Sequence, residues 1–138
     1  MTAEERRDLV GRFYKLNAQG DRDAAEQLLT DDFVITTPAY MPFGGTFRGK
    51  GAFRELIPRV ASTIPLGKLE FLETTVGEEF AVKLVDFTLE GQEGPLRVAE
   101  VIRFRGDQIC EISPFYFDPA PWIAAGERKN AAKESSES

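Results

Sequence analysis

Glu100 is the residue whose setting first suggests chemistry. It lies in the run Val98-Ala99-Glu100-Val101-Ile102-Arg103-Phe104, where a strand's two-residue alternation puts Val98, Glu100, Ile102 and Phe104 on one face. A carboxyl among three large apolar neighbours loses its hydration, and desolvation favours the protonated form. Such a group can serve as a hydrogen-bond donor or general acid, and buried acids usually have a purpose or a partner. The same run also allows the opposite face to point inward, or Glu100 to pair with an internal Arg or hydroxyl. Tyr116, at the end of the next apolar run, reads equally as a phenolic donor to a ligand and as core wall. Tyr14 and Tyr40 are further candidate hydroxyls; Tyr14, one step off the core stripe of its helix, reads also as a surface or interface residue, and Tyr40 as a loop anchor. Asp86 and Asp118 read as solvent-facing or capping acids, Arg48 and Arg103 as surface ions, and Cys110 as a small buried hydrophobe.

The 138 residues include no histidine. That removes the commonest general base, the usual activator of a Ser or Cys nucleophile and the commonest zinc ligand. Any catalysis must rest on carboxylates, tyrosines, Lys/Arg or backbone dipoles, and no metal or cofactor is expected. Net charge is −6 and no Lys/Arg run appears, which argues against a nucleic-acid partner, since phosphate-backbone binding needs a basic face. No apolar stretch approaches the length of a membrane span, and Met1–Arg7 is too charged for a signal peptide. The single Cys110 suits a reducing, cytoplasmic setting. Phenylalanine stands out, with 11 against one Trp and three Tyr; it points to a thick aromatic interior or a cavity lined by rings.

The elements that must hold these groups follow from spacing. Thr2 and Glu5 form a capping box before a helix whose core face carries Leu9, Val10, Phe13 and Leu16, and Gly20 stops it. Asp21 caps a short second helix with Ala24, Ala25, Leu28 and Leu29 inside, making a helical hairpin. Phe33 to Thr37 reads as a strand ended by Pro38. An apolar loop with Tyr40, Met41 and Phe43 follows, then a third helix bearing Phe53, Leu56, Ile57, Val60 and Ile64, with Pro58 inside it. Four β-rich runs, Leu69–Val76, Phe80–Glu90, Leu96–Arg105 and Gln108–Tyr116, are separated by short Gly-containing turns and predict an antiparallel meander. Pro114 marks an edge or bulge. Trp122 docks as a plug, and residues 124–138, small and charged, read as a disordered tail after a domain spanning 1–123.

Arg12-Phe13-Tyr14, Gln19-Gly20-Asp21, Leu29-Thr30-Asp31-Asp32-Phe33, Phe47-Arg48-Gly49-Lys50-Gly51 and Glu100-Val101-Ile102-Arg103-Phe104 occur in an order and spacing that resembles the nuclear transport factor 2-like superfamily. The relevant branch is the SnoaL-like and ketosteroid-isomerase-like proteins, and the likeness runs from Thr2 to about Asp118. It implies an α+β fold in which three helices and a curved antiparallel sheet form a cone-shaped barrel around an apolar pocket. That fold hosts isomerases, dehydratases, cyclases, epoxide hydrolases and plain binding modules. By the resemblance, the isomerase's oxyanion-hole Tyr falls at Phe13, its base at Thr37, its hole acid at Glu100 and an aromatic pocket position at Tyr116. Only the acid survives, so the isomerase mechanism is excluded. An epoxide-hydrolase Asp–Arg–Asp group would need an inward Arg, and Arg103 alternates out of phase with Glu100.

Two functions fit these residues. One is a cofactor-free binder, or an isomerase-, cyclase- or dehydratase-type enzyme, for a small hydrophobic carbonyl or hydroxyl compound. Glu100 and Tyr116 would make its polar contacts; the expected walls are Phe13, Phe33, Thr37, Tyr40, Phe53, Ile57, Phe87 and Ile102. The other is a non-catalytic module that forms a homodimer through the outward sheet face, where Val82, Leu84 and Val101 alternate with charges.

Overall fold

The structure is a computed structural model and describes residues 1–137. Helix α1 (Ala3–Ala18) begins at the capping box: the Glu5 N–H donates to Thr2 Oγ1 at 3.1 Å and the Thr2 N–H to Glu5 Oε1 at 3.4 Å. It ends where Gly20 takes a φ of 77°, a left-handed conformation that glycine adopts without Cβ strain. Asp21 caps α2 (Arg22–Glu26) by accepting the Ala24 N–H. This helix is shorter than its apolar spacing predicts, because Leu29 already belongs to strand β1 (Leu29–Thr37) and pairs with Ile109, whose N–H donates to the Leu28 carbonyl. Sheet pairing here overrides helical spacing. Strand β2 (Gly45–Arg48), helix α3 (Ala52–Thr63) with Pro58 inside it, and strands β3 (Leu66–Val76), β4 (Phe80–Leu89), β5 (Leu96–Arg105) and β6 (Gln108–Tyr116) follow.

The six strands form one open, curved sheet in the order β2-β1-β6-β5-β4-β3. It is not wholly antiparallel: β1 and β6 run parallel, with Ile35 opposite Ile112. That pairing joins segments more than seventy residues apart, which local turn chemistry does not reveal. β6 is consequently an interior strand, yet Pro114 is tolerated because the β1 pairing reaches only Ile112; beyond it, β5 is the neighbour. Facing pairs define the inner side: Val98 with Val85, Glu100 with Lys83, Ile102 with Ala81 and with Ile112. Phe13, Phe33, Val10 and Leu29 pack on this side and are almost completely buried.

The expected disordered tail is instead α4 (Ala120–Glu137); Ser138 lies outside the described residues. The chain turns into it at Asp118, whose side chain accepts the Ala120 N–H at 3.1 Å. Its own Trp122 and Ala125 are buried. Lys129 Nζ donates to the carbonyls of Ala61 (2.6 Å) and Ile64 (3.1 Å), and Lys133 Nζ to that of Ser62. Those are carbonyls at the end of α3 that a helix leaves without internal partners. Gly126 lets α4 lie close against the loop after β1, since a Cβ there would stand 2.4 Å from Pro42 Cγ. The composition that looked unfit for a core is also rich in Ala, Glu and Lys, all strong helix formers.

Candidate functional site

α1, α3 and the inner face of the sheet enclose a cavity of about 480 Å³. Its wall is mostly apolar. Phe13 from α1 meets Phe53 from α3 edge-to-face at 5.3 Å, and Phe33 stacks behind Phe53 at 5.8 Å. Trp122 closes one end with its ring 5.1 Å from Phe87, 5.2 Å from Tyr116 and 5.9 Å from Phe43. Leu69 and Phe71 border the cavity yet stay 43% and 40% exposed, which puts its opening beside β3.

One polar pair faces this space. The Tyr14 hydroxyl, from α1, donates to Glu100 Oε1 of β5 at 2.7 Å, the normal length for a strong O–H···O bond. Burial raises the Glu100 carboxyl above its ordinary value, and the bond from Tyr14 partly offsets this. Burial also raises the Tyr14 phenol well above its ordinary value, helped by the negative charge of Glu100. Tyr14 therefore stays a protonated donor, while burial makes the Glu100 carboxyl hold its proton more tightly than a hydrated one. Tyr116 borders the cavity too, and its hydroxyl makes no hydrogen bond among the described residues. Burial, and then the charges of Glu100 and Tyr40, push its phenol far up, so it is also a protonated donor.

The sequence left Tyr14 open between a candidate hydroxyl and a surface or interface residue one step off the core face, and the resemblance put Phe13 at the hydroxyl position; the structure turns Tyr14 inward. It is 9% exposed. Phe13 and Tyr14 are about 100° apart around the helix, and both face inward because the sheet curves around α1. The signal was available: Val10, Tyr14 and Asn17 continue an i, i+4, i+7 stripe. Thr37 is buried, and its hydroxyl lies 3.0 Å from the Phe43 carbonyl and 3.2 Å from that of Gly45, to which it donates. It anchors the loop and offers no base.

Of the other expected walls, Phe53, Ile57 and Phe87 border the cavity with Phe13 and Thr37, whereas Phe33 and Ile102 lie in the core behind it. Tyr40 does not border it. It is 56% exposed on the far side of its loop, since the buried apolar anchors there are Met41 and Phe43. Asp86 is not solvent-facing as expected; it is buried on the outer side of the sheet beneath Arg97, whose Nε donates to it at 2.5 Å. Arg103 lies on that same outer side, 3.7 Å from Glu111, and never approaches Glu100's face.

An α+β cone of this kind, with its sheet left open, is the nuclear transport factor 2-like architecture. Residues 10–112 match the model of the SnoaL-like domain, and the chain belongs to that family. Among solved structures it is similar to an NTF2-like protein of unknown function from Burkholderia pseudomallei, with 20% identity, a TM-score of 0.74, and 91% of this chain and 98% of that one covered. The protein Bal32a from a soil-derived mobile gene cassette gives 17% identity and a TM-score of 0.74 over 90% and 98% of the two chains. A steroid delta-isomerase from Pseudomonas aeruginosa gives 15% identity and a TM-score of 0.64 over 99% and 96%. At such identities the likeness is one of fold. No curated protein matches the chain.

Proposed function

We propose that this protein binds a small, largely apolar compound carrying a carbonyl or hydroxyl oxygen, with Glu100 and Tyr14 as the polar end of the site and Tyr116 as a further donor. The observation that carries it is the Tyr14–Glu100 hydrogen bond inside a mostly apolar cavity, because a half-buried acid without an ion pair is costly unless it is used. A cofactor-free proton shift of the isomerase, cyclase or dehydratase type is the reaction these groups suit. Glu100 would hydrogen-bond the ligand oxygen, and Tyr116 would donate to the same region. Among the described residues bordering the cavity there is no second carboxylate, so the site is better equipped to bind such a compound than to carry a proton between two carbons. The buried Cys110 suits a cytoplasmic setting.

Calorimetry with 2-naphthol and naphthalene tests this. The wild type should prefer 2-naphthol, and Glu100→Gln should lose about tenfold of that preference, about 1.4 kcal/mol, with naphthalene affinity unchanged. Equal affinities for both compounds in both proteins would sink the proposal.

A second reading, a dimeric module, is supported by the outer sheet face. Phe115 is 60% and Phe117 88% exposed there, beside Val82, Leu84 and Val101. Exposed apolar surface of this kind marks contact sites. By this reading the wild type sediments as a dimer and Phe115→Glu as a monomer; a monomeric wild type would dismiss it.

A further inference from the structure

Lys83 is a buried cation that the binding proposal leaves unused. It sits mid-strand on the inner side of β4, directly opposite Glu100 of β5, and only 9% of it is exposed. Its Nζ donates to the Leu72 carbonyl and to Thr74 Oγ1, both at 3.1 Å, at the place where the β3–β4 register slips between Phe71 and Thr74. The same ammonium stands 5.9 Å from the ring centres of both Tyr14 and Phe71. Among the described residues no carboxylate comes within ion-pair distance of it. A desolvated ammonium without a counter-ion is expensive, and burial lowers its proton affinity. Holding the irregular stretch of β3 would justify a hydrogen-bond donor here, but a neutral donor would serve that purpose more cheaply.

The charge itself has a target. Residues directly opposite on paired strands have Cβ atoms about 5 Å apart, and the ammonium lies over the ring whose hydroxyl bonds Glu100. We propose that Lys83 is a positioning residue for the Tyr14–Glu100 pair: its ammonium sets the proton occupancy of Glu100, favouring the carboxylate that accepts from Tyr14. This rests on the reading of that pair as the polar end of the binding site. The groups facing Glu100 leave Lys83 as the positive one. Tyr14 approaches from α1, and Pro114 and Tyr116 from β6. α3 contributes Phe53, Leu56 and Ile57, and β3 contributes Leu69 and Phe71, with no ionisable side chain from either bordering the cavity. Tyr40 acts only on Tyr116, and Arg103 and Glu111 are paired on the outer side of the sheet.

The consequence is a choice of ligand. With the ammonium present, Glu100 offers an acceptor and selects hydroxyl or enol donors. With it removed, Glu100 holds its proton and selects carbonyl acceptors.

Carbon-13 NMR of glutamate side-chain carboxyls, with the Glu100 signal assigned by its loss in Glu100→Gln, follows this directly in ligand-free protein. Lys83→Met removes both charge and anchor. Lys83→Gln removes the charge but keeps a donor for Leu72, and Lys83→Arg keeps the charge. Both neutral variants should raise the Glu100 midpoint by about one pH unit or more, as expected for a nearby charge in a partly desolvated site, and Lys83→Arg should leave it near the wild-type position. An unchanged midpoint in either folded neutral variant overturns the proposal. So does failure of both neutral variants to fold, which would assign Lys83 to the β3 irregularity alone. Because no ligand is needed, a failed binding proposal leaves this result readable, and the naphthol comparison, made with Lys83 in place, tests the binding proposal separately.

Discussion

Trp122→Ala is expected to lower the unfolding free energy by about 3–5 kcal/mol, the range for deleting a fully buried large aromatic side chain. The ring is 1% exposed and makes edge-to-face contacts with Phe43, Phe87 and Tyr116, each of which adds to the plain burial of area. Its removal also opens the closed end of the cavity, and the rings around it belong to two strands and a loop, so collapse to fill the void is hard. One term works the other way. Trp122 Nε1 is buried without a hydrogen-bond partner, and an orphaned donor of that kind costs about 1–3 kcal/mol. Trp122→Phe keeps most of the ring and discards the orphan, so its loss should stay within about 1.5 kcal/mol. Urea titrations followed by far-UV circular dichroism give both numbers. If the alanine variant lost less than the phenylalanine variant, Trp122 would not be the keystone between α4 and the sheet.

That role explains why the C-terminal segment misleads when read by composition. The signals that did carry through are local ones: Thr2 with Glu5, Gly20, Asp21 and the glycine turns between strands each act within a few residues. α4 has no such signature, because its support comes from Lys129 and Lys133 reaching carbonyls of α3 about 65–70 residues away. The parallel β1–β6 pairing is opaque for the same reason. For the site, alternation put Glu100 in phase with Val98 and Ile102 but left open which face turns inward; the phase holds because β4, β5 and β6 keep unbroken register through that stretch. Tyr14 stayed ambiguous, one step off the core stripe of α1, because spacing does not show that a helix gripped by a curved sheet buries a wide arc. Lys83 was overlooked on residue type. Ala81, Lys83 and Val85 alternate inward as plainly as Val98, Glu100 and Ile102, but a lysine in that phase is read as solvent-facing by habit.

Glu100→Gln should make the protein more stable at neutral pH, by about 1–3 kcal/mol, the scale of an imperfectly compensated buried polar group. The sign follows from the direction of the Glu100 shift, which is upward and caused first by burial. Below the unfolded-state value, about 4.3 for glutamate, the folded and unfolded chains both hold the proton, and Glu100 contributes fully to stability. As pH rises through that value the unfolded chain releases its proton first, so stability falls until the folded carboxyl also ionises. Glutamine has nearly the same shape, can still accept from the Tyr14 hydroxyl, and does not titrate. The two proteins should therefore match near pH 4, and the wild type should fall progressively below the variant toward pH 7. Tyr14→Phe should steepen the fall, because the bond from Tyr14 is what pulls the Glu100 carboxyl back toward its ordinary value. Chemical denaturation at a series of pH values measures all three curves. Wild type and Glu100→Gln running parallel from pH 4 to 8 would mean that Glu100 is hydrated in the folded protein, and the polar end of the cavity would then be an open, water-filled one.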